Sequence, residues 1–271
     1  MQLVLVIFAA ALVVAGLAIT RNLPAPAVRR SADGSAADAA GGRSGVERRV
    51  GLVVGLGLVG AAAFLTEGAA TDWAGVHATR VLGADPAVGS LVYTAFFVAM
   101  TVVRFVGDPV QARLGAAATI RYAGATATVG YGLVLLASIT QTARVGTAMA
   151  GWILAGAGMA VVWPVVVSAL GSSGASGRRL STVTTISYGG GLVGPALIGA
   201  VAGRAGLSVA LLIPGVLAVV VAGAAPVVLA RCLAVVGEDG VAEGGSRGDG
   251  SDAKRCDETG RPPAWVRGRS M

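Results

Sequence analysis

The chain is dominated by apolar stretches, each about as long as the ~20 residues that an α-helix needs to cross the hydrocarbon core of a bilayer. We place seven of them, at residues 3–20, 50–68, 87–106, 115–138, 146–170, 182–203 and 207–230. Of the 271 residues, 55% are hydrophobic and a further 42 are Gly, and the mean hydropathy is +0.76. A water-soluble domain of this length cannot hide so much apolar surface. We therefore predict an all-α polytopic transmembrane bundle with about seven transmembrane helices.

The positions of the Arg residues predict an orientation. Eleven of them fall on one side of the predicted spans: Arg21, Arg29, Arg30, Arg43, Arg48, Arg49, Arg104, Arg113, Arg121, Arg178 and Arg179. Only Arg80, Arg144 and Arg204 fall on the other side. Because cytoplasmic loops are rich in Lys and Arg, we predict a multi-pass protein of the cell membrane with its N-terminus outside. The formal net charge of +7 then reflects topology, and no nucleic-acid partner is expected.

Composition divides the chain into four parts. Residues 1–20 are predicted as the first transmembrane helix, and residues 50–230 as a six-helix transmembrane bundle. A signal peptide is the alternative for the first part, but its Arg residues follow the apolar run instead of preceding it. Residues 21–49 and 231–271 are rich in Gly, Ser and charge, a composition that buries too little apolar surface to order itself. We predict a flexible cytoplasmic linker and a disordered cytoplasmic tail.

Several short patterns resemble catalytic or nucleotide-binding motifs. The run Gly55–Gly60 matches the dinucleotide fingerprint but lies inside an apolar stretch, where small residues favour close helix packing. The single Lys, Lys254, lies in the polar tail, so no nucleotide-binding lysine loop is encoded. His77 is predicted in a solvated outer loop, on the face opposite to Ser173, so the two cannot share a proton. We predict no enzyme activity, no cofactor and no metal.

Two carboxylates stand at the end of the second apolar stretch. Glu67 and Asp72 precede Trp73, an aromatic residue of the kind that marks membrane interfaces. Charges at this depth are costly and usually face a wet cavity or a cationic partner. We favour the interface for Asp72 and leave both alternatives open for Glu67.

The order of motifs along the chain resembles the C-terminal half of bacterial major facilitator superfamily (MFS) transporters of the sugar-permease-like type. Thr66–Trp73 with Tyr93, Phe96 and Phe97 looks like that family's helices seven and eight. Residues 104–115, RFVGDPVQARLG, are similar to the loop signature between helices eight and nine. Residues 156–164 and 188–199 resemble helices ten and eleven. The first stretch then corresponds to helix six, and helices one to five have no counterpart.

The resemblance implies site residues. Cavity-lining candidates on helices seven, eight, ten and eleven are Phe64, Glu67, Tyr93, Thr94, Phe97, Trp163 and Tyr188. The loop residues Arg104, Gly107, Asp108, Arg113 and Gly115 correspond to a gate. The residues themselves predict a tight turn at Gly107 and Pro109, with Asp108 either at the N-terminal dipole of a neighbouring helix or paired with Arg104 or Arg113. Gly191, Gly194 and Pro195 correspond to a hinge in helix eleven. Each residue has the alternative of simply packing between helices.

The resulting hypothesis is transport of a small solute by alternating access, with Glu67 as a candidate carrier of a coupling proton. A single bundle has no partner to rock against, so the chain is expected to pair with a second half-transporter or with itself, or to be a truncated product. Its surroundings are the lipid bilayer. The alternative is a non-transporting scaffold or sensor that acts through the cytoplasmic tail, residues 231–271.

Overall fold

The computed structural model describes residues 42–172 and 177–250, with side chains described over 50–171 and 177–232. The predicted first helix at 3–20, most of the predicted linker, Ser173 and residues 251–271 lie outside the described residues. The regular structure within the described ranges is entirely helical: α1 (Gly42–Val76), a π-helical turn (His77–Val81), α2 (Pro86–Leu114), α3 (Ala116–Ala137), α4 (Arg144–Met159), α5 (Val162–Ser172), α6 (Gly177–Ala205), α7 (Leu207–Ala210) and α8 (Leu212–Gly250).

Within the described residues, six helical spans are long and apolar enough to cross a membrane: Val50–Val81, Pro86–Leu114, Ala116–Ala137, Arg144–Gly171, Gly177–Ala205 and Leu207–Cys232. They coincide with the six predicted stretches between residues 50 and 230, and they confirm an all-α polytopic bundle. The helices extend past the predicted stretches at both ends of the bundle. Helix α1 begins at Gly42, within the predicted linker, and α8 continues to Gly250, within the predicted tail.

The core of the bundle lies around α3 and α4. Helix α3 packs most extensively on α4 and α8, and α1 packs most extensively on α6. We compare how much of an 18-residue apolar stretch of each span is buried. The share is 67% in α3, against 22% in α2 and 17% in α6. Helices α2 and α6 therefore leave most of their surface on the outside of this bundle.

Small residues allow α1 and α6 to approach closely. A Cβ added to Gly190 would meet the Cβ of Ala61 at 2.6 Å, and one added to Gly57 would meet Ile186 at 2.9 Å. The hydroxyl of Ser187 also donates a hydrogen bond across the interface to the carbonyl of Gly57, at 3.2 Å. The fingerprint-like glycine run thus lies within one continuous helix, as its apolar setting indicated.

The expected tight turn at Gly107 and Pro109 is wrong. Both residues lie inside α2, which continues to Leu114, and the chain turns at Gly115, whose φ of 78° suits a residue without a side chain. Gly107 instead lies where an added Cβ would be 3.0 Å from Val161. Arg104 consequently lies within a membrane span, ten residues before its end at Leu114, and not in a loop.

The predicted single helix at 146–170 is interrupted. Helix α4 ends at Met159 and α5 begins at Val162, with a turn at Ala160 and Val161. Pro164 is the physical cause, because it lacks the N–H that would bond to the carbonyl of Ala160, four residues earlier. That carbonyl is therefore free to accept a hydrogen bond from another helix.

The expectation of a solvated His77 is also wrong. Its side chain is fully buried in the π-helical turn, and its Nε2 lies 2.9 Å from the hydroxyl oxygen of Ser138. Its ring meets Trp152 edge-on, with centroids 6.3 Å apart. Arg144 closes the same end of the bundle by donating to the carbonyl of Val81 at 2.9 Å. The helix simply runs further than the apolar pattern indicated, and it carries His77 into the core.

Candidate functional site

An aromatic cluster joins three helices on one side of the bundle. Phe64 of α1 lies 5.2 Å from Trp163 of α5 and 4.6 Å from Tyr188 of α6, measured between ring centroids. Trp163 and Tyr188 are themselves 6.2 Å apart. Phe64 and Trp163 are half-buried, and Tyr188 is exposed on the α6 side. The structure thus brings together three of the predicted cavity residues.

A charged pair lies next to this cluster. Glu67 follows Phe64 by three residues and so shares its face of α1. The Nη2 of Arg104, on α2, lies 4.0 Å from the Oε2 of Glu67, and the two side chains are 48% and 31% exposed, respectively. The Nε of Arg104 also donates to the carbonyl of Ala160 at 3.4 Å. This carbonyl is the one that Pro164 leaves without a partner inside its own helix. Trp163 of the cluster directly precedes Pro164 in the chain.

The pair lies near the middle of its two spans. At 1.5 Å per residue, Glu67 is about 2 Å along the axis from the centre of Val50–Val81. Arg104 is about 6 Å from the centre of Pro86–Leu114. With each span centred on the bilayer, both charges fall within the ~30 Å hydrocarbon thickness. Of the two readings left open for Glu67, this geometry favours the cavity over the interface.

The remaining predicted cavity residues form a second group nearer one end of the bundle. Tyr93 and Phe97 of α2 have ring centroids 4.9 Å apart. Tyr93 and Thr94 line an open groove of about 550 Å³ between α1 and α2, which Asp72 and Ser90 also border. The Thr94 hydroxyl donates to the carbonyl of Ser90 at 2.8 Å. The seven predicted residues therefore form two adjacent groups.

The predicted gate residues are not gathered in a loop. Asp108 and Arg113 are exposed on the last turns of α2, and within the described residues the one ion pair is that of Arg104 with Glu67. The expected pairing of Asp108 with Arg104 or Arg113 is therefore absent there. Arg113 lies in the last helical turn, where its charge complements the helix dipole.

The predicted hinge residues of α6 contact α1 beside the site. An added Cβ at Gly191 would lie 3.4 Å from the Cβ of Phe64, and one at Gly194 would lie 2.8 Å from Leu65. Pro195 lies within α6, which is continuous around it. These residues fix how closely α6 approaches the face of α1 that carries Phe64 and Glu67.

Sequence reasoning missed two polar contacts, one buried behind the site and one made by Arg104 within it. The hydroxyl of Tyr131, on α3, donates to the carbonyl of Thr66 at 2.9 Å, directly before Glu67 in the chain. The Arg104 contact with Ala160 was also missed, although Pro164 is a signal for a free carbonyl four residues earlier. Among the side chains described, no cluster of three or more His, Cys, Asp or Glu residues is arranged to hold a metal ion.

Span-length apolar helices around a charged pair define a polytopic α-helical membrane protein. No protein-family model matches the chain, and no solved structure matches it. Three curated relatives do. The chain is 33% identical to an uncharacterized transporter of Sinorhizobium fredii over 174 residues, 64% of this chain and 45% of the relative.

The second relative is an uncharacterized MFS-type transporter of Yersinia pestis, 33% identical over 59% of this chain and 41% of its own length. The third is the membrane protein MosC of Rhizobium meliloti, 33% identical over 61% of this chain and 40% of its own length. The chain is thus similar to an MFS-type transporter, in agreement with the resemblance that the order of its motifs indicated. It spans less than half the length of these relatives.

Proposed function

We propose that the chain takes part in moving a small solute across a membrane by alternating access, with its binding site at the Glu67–Arg104 pair and the adjoining aromatic cluster. One observation carries this proposal. Two opposite charges lie near the centres of two membrane spans, and both side chains remain partly exposed. The names of the relatives, two of which include the word transporter, support it.

The energetics of ion pairs support a functional role over a structural one. Ionisable residues within a bilayer are expensive, and they usually face a water-filled cavity on an ion or substrate pathway. An ion pair between exposed side chains usually contributes less than about 1 kcal/mol to stability. A pair serving stability alone is therefore a poor explanation for these two charges.

Glu67 is the proposed carrier of a coupling proton. Its ion pair with Arg104 is the only one that it makes among the described side chains, at a distance that leaves no tight hydrogen bond. When Glu67 takes up a proton, Arg104 keeps its bond to the carbonyl of Ala160 but loses its counter-charge. Protonation thereby changes the contact that links α1 with α2.

Movement of α6 against α1 is the proposed conformational step, with Gly191, Gly194 and Pro195 as the hinge. The glycines permit the close contact with α1, and Pro195 removes one backbone hydrogen bond of α6 at the proposed hinge. The end of α2, with Gly107, Asp108, Arg113 and Gly115, is the proposed gate. The charges at this gate are available to a partner because they are exposed.

A second copy of this chain is the proposed partner bundle. Helices α2 and α6 expose large apolar side chains, among them Phe105 and Leu192, each 82% exposed. These two helices also carry Arg104 and Tyr188, so a bundle packed against them would enclose the Glu67–Arg104 pair and the aromatic cluster. The proposed orientation keeps the N-terminus outside and the tail in the cytoplasm.

Uptake into proteoliposomes that contain the full chain tests this function. We expect chain-dependent uptake of a labelled solute, driven by a proton gradient and lost in Glu67→Gln. Removal of residues 251–271 should leave uptake unchanged. If the chain instead acted as a scaffold through its tail, uptake would be absent and the tail would be required for activity.

A further inference from the structure

We propose that the site recognises a small organic anion, whose charged group binds to Arg104 in place of Glu67. This inference rests on the proposed transport function and names the class of solute. It follows from how Arg104 is held.

Most of the N–H donors of Arg104 make no hydrogen bond to the described residues. A guanidinium has five N–H donors, and among the described residues Arg104 uses one, the Nε that contacts Ala160 at 3.4 Å. A tight Arg–carboxylate pair has N···O distances near 2.7–2.9 Å and is often bidentate. The Nη2 of Arg104 stands 4.0 Å from Glu67, so the two terminal nitrogens remain open to another anion.

The backbone holds Arg104 in place while leaving its open end free. Because Pro164 cannot donate to the carbonyl of Ala160, that carbonyl is available to the Nε of Arg104. The contact orients the guanidinium without neutralising it. The arrangement suits an arginine that must present its terminal nitrogens to a ligand.

The body of the solute is expected to lie on the aromatic cluster. Phe64 shares a face of α1 with Glu67, and Trp163 follows the break at Ala160. Both rings therefore lie beside the two groups that contact Arg104, and Tyr188 extends the aromatic surface to α6. The site fits a ring with an apolar face, such as a sugar ring, that carries a negatively charged group.

Charge balance links the anion to the proton. When an anion occupies Arg104, an ionised Glu67 would place two negative charges beside one positive charge in a low-dielectric region. A proton on Glu67 restores neutrality. One proton would therefore bind together with the anion, and with a monoanion the loaded site would carry no net charge.

Binding of three matched probes to the purified full chain tests this inference. The probes are glucose, which is neutral, glucuronate, which carries a carboxylate, and glucose 6-phosphate, which carries a phosphate. Titration calorimetry at constant ionic strength should show that at least one anion binds about ten- to a hundredfold more tightly than glucose. The preferred anion then distinguishes a carboxylate from a phosphate.

Variants test whether the preference for an anion depends on Arg104. Arg104→Gln should abolish the preference for the anion, and Arg104→Lys should restore part of it, because the charge returns without the bidentate geometry. Glu67→Gln should bind the anion at least as tightly as the parent, because the competing carboxylate is gone. Arg204→Gln, the same change at an exposed arginine of α6, should bind like the parent.

Three results would overturn the inference: equal affinity for glucose and the anions, no binding of any probe, or a preference that survives in Arg104→Gln. Uptake of glucose alone would support the proposed function and remove this inference. Anion binding without uptake of any solute would support this inference and contradict the proposed function. The two proposals therefore fail separately.

Discussion

The Nη2 of Arg104 lies 4.0 Å from the Oε2 of Glu67, close to the centres of two membrane spans. The same arginine reaches the carbonyl of Ala160 through its Nε. One side chain on α2 therefore connects α1 with the break between α4 and α5. The predictions below follow from this connection and from the helix packing that supports it.

Restoring the missing amide should close the helix break. In Pro164→Ala the new N–H competes with Arg104 for the carbonyl of Ala160, because helical geometry directs it there. We expect the new amide at 164 to exchange slowly, as a hydrogen-bonded amide does, and an anionic probe to bind more weakly. Pro226→Ala, the same change inside α8, is the control and should leave anion binding unchanged. Unaltered binding in Pro164→Ala would contradict a role for the break.

Two adjacent glycines of α6 should respond oppositely to the same substitution. A Cβ at Gly190 meets Ala61 at 2.6 Å, so Gly190→Ala should cost about 1–3 kcal/mol of unfolding free energy. A Cβ at Gly189 meets nothing within 4 Å, so Gly189→Ala should be neutral or gain up to about 1 kcal/mol through helix propensity. Denaturant titration of the two variants in detergent measures the difference. Equal stability of the two variants would show that α1 and α6 are not in close contact.

The tyrosine behind the site should matter through its hydroxyl. Tyr131→Phe removes the donor to the carbonyl of Thr66 and should cost about 0.5–1.5 kcal/mol of unfolding free energy. Tyr122, an exposed residue of the same helix, provides the matched control, and Tyr122→Phe should be neutral. The same titration compares them. A stability of Tyr131→Phe equal to that of the parent would argue that α3 and α1 are not joined by this hydrogen bond.

Much of the fold could be predicted from the sequence because apolar length alone defines a membrane span. The six stretches between residues 50 and 230 correspond to the six span-capable helices. The placement of Arg104 could not be predicted this way. A hydropathy argument assigns an arginine to the end of a span, whereas a partner on another helix stabilises it inside one.

The candidate site was predicted in part. The rings of Phe64, Trp163 and Tyr188 do meet on one side of the bundle, because each lies on a helix that the motif order identified. Glu67 lies one helical turn after Phe64 on α1. The burial of His77 was not predictable. It depends on a π-helical turn that extends the span to Val81 and on a contact with Ser138 at the end of α3, and neither leaves a local sequence signal.

Uptake of labelled glucose and labelled glucuronate into proteoliposomes with an inward proton gradient tests the central claim most directly. The account predicts gradient-driven accumulation of at least one of these solutes by the parent chain and by Arg204→Gln, and none by Glu67→Gln. The claim would be contradicted by uptake no greater than that of empty liposomes, or by equal accumulation in Glu67→Gln and the parent.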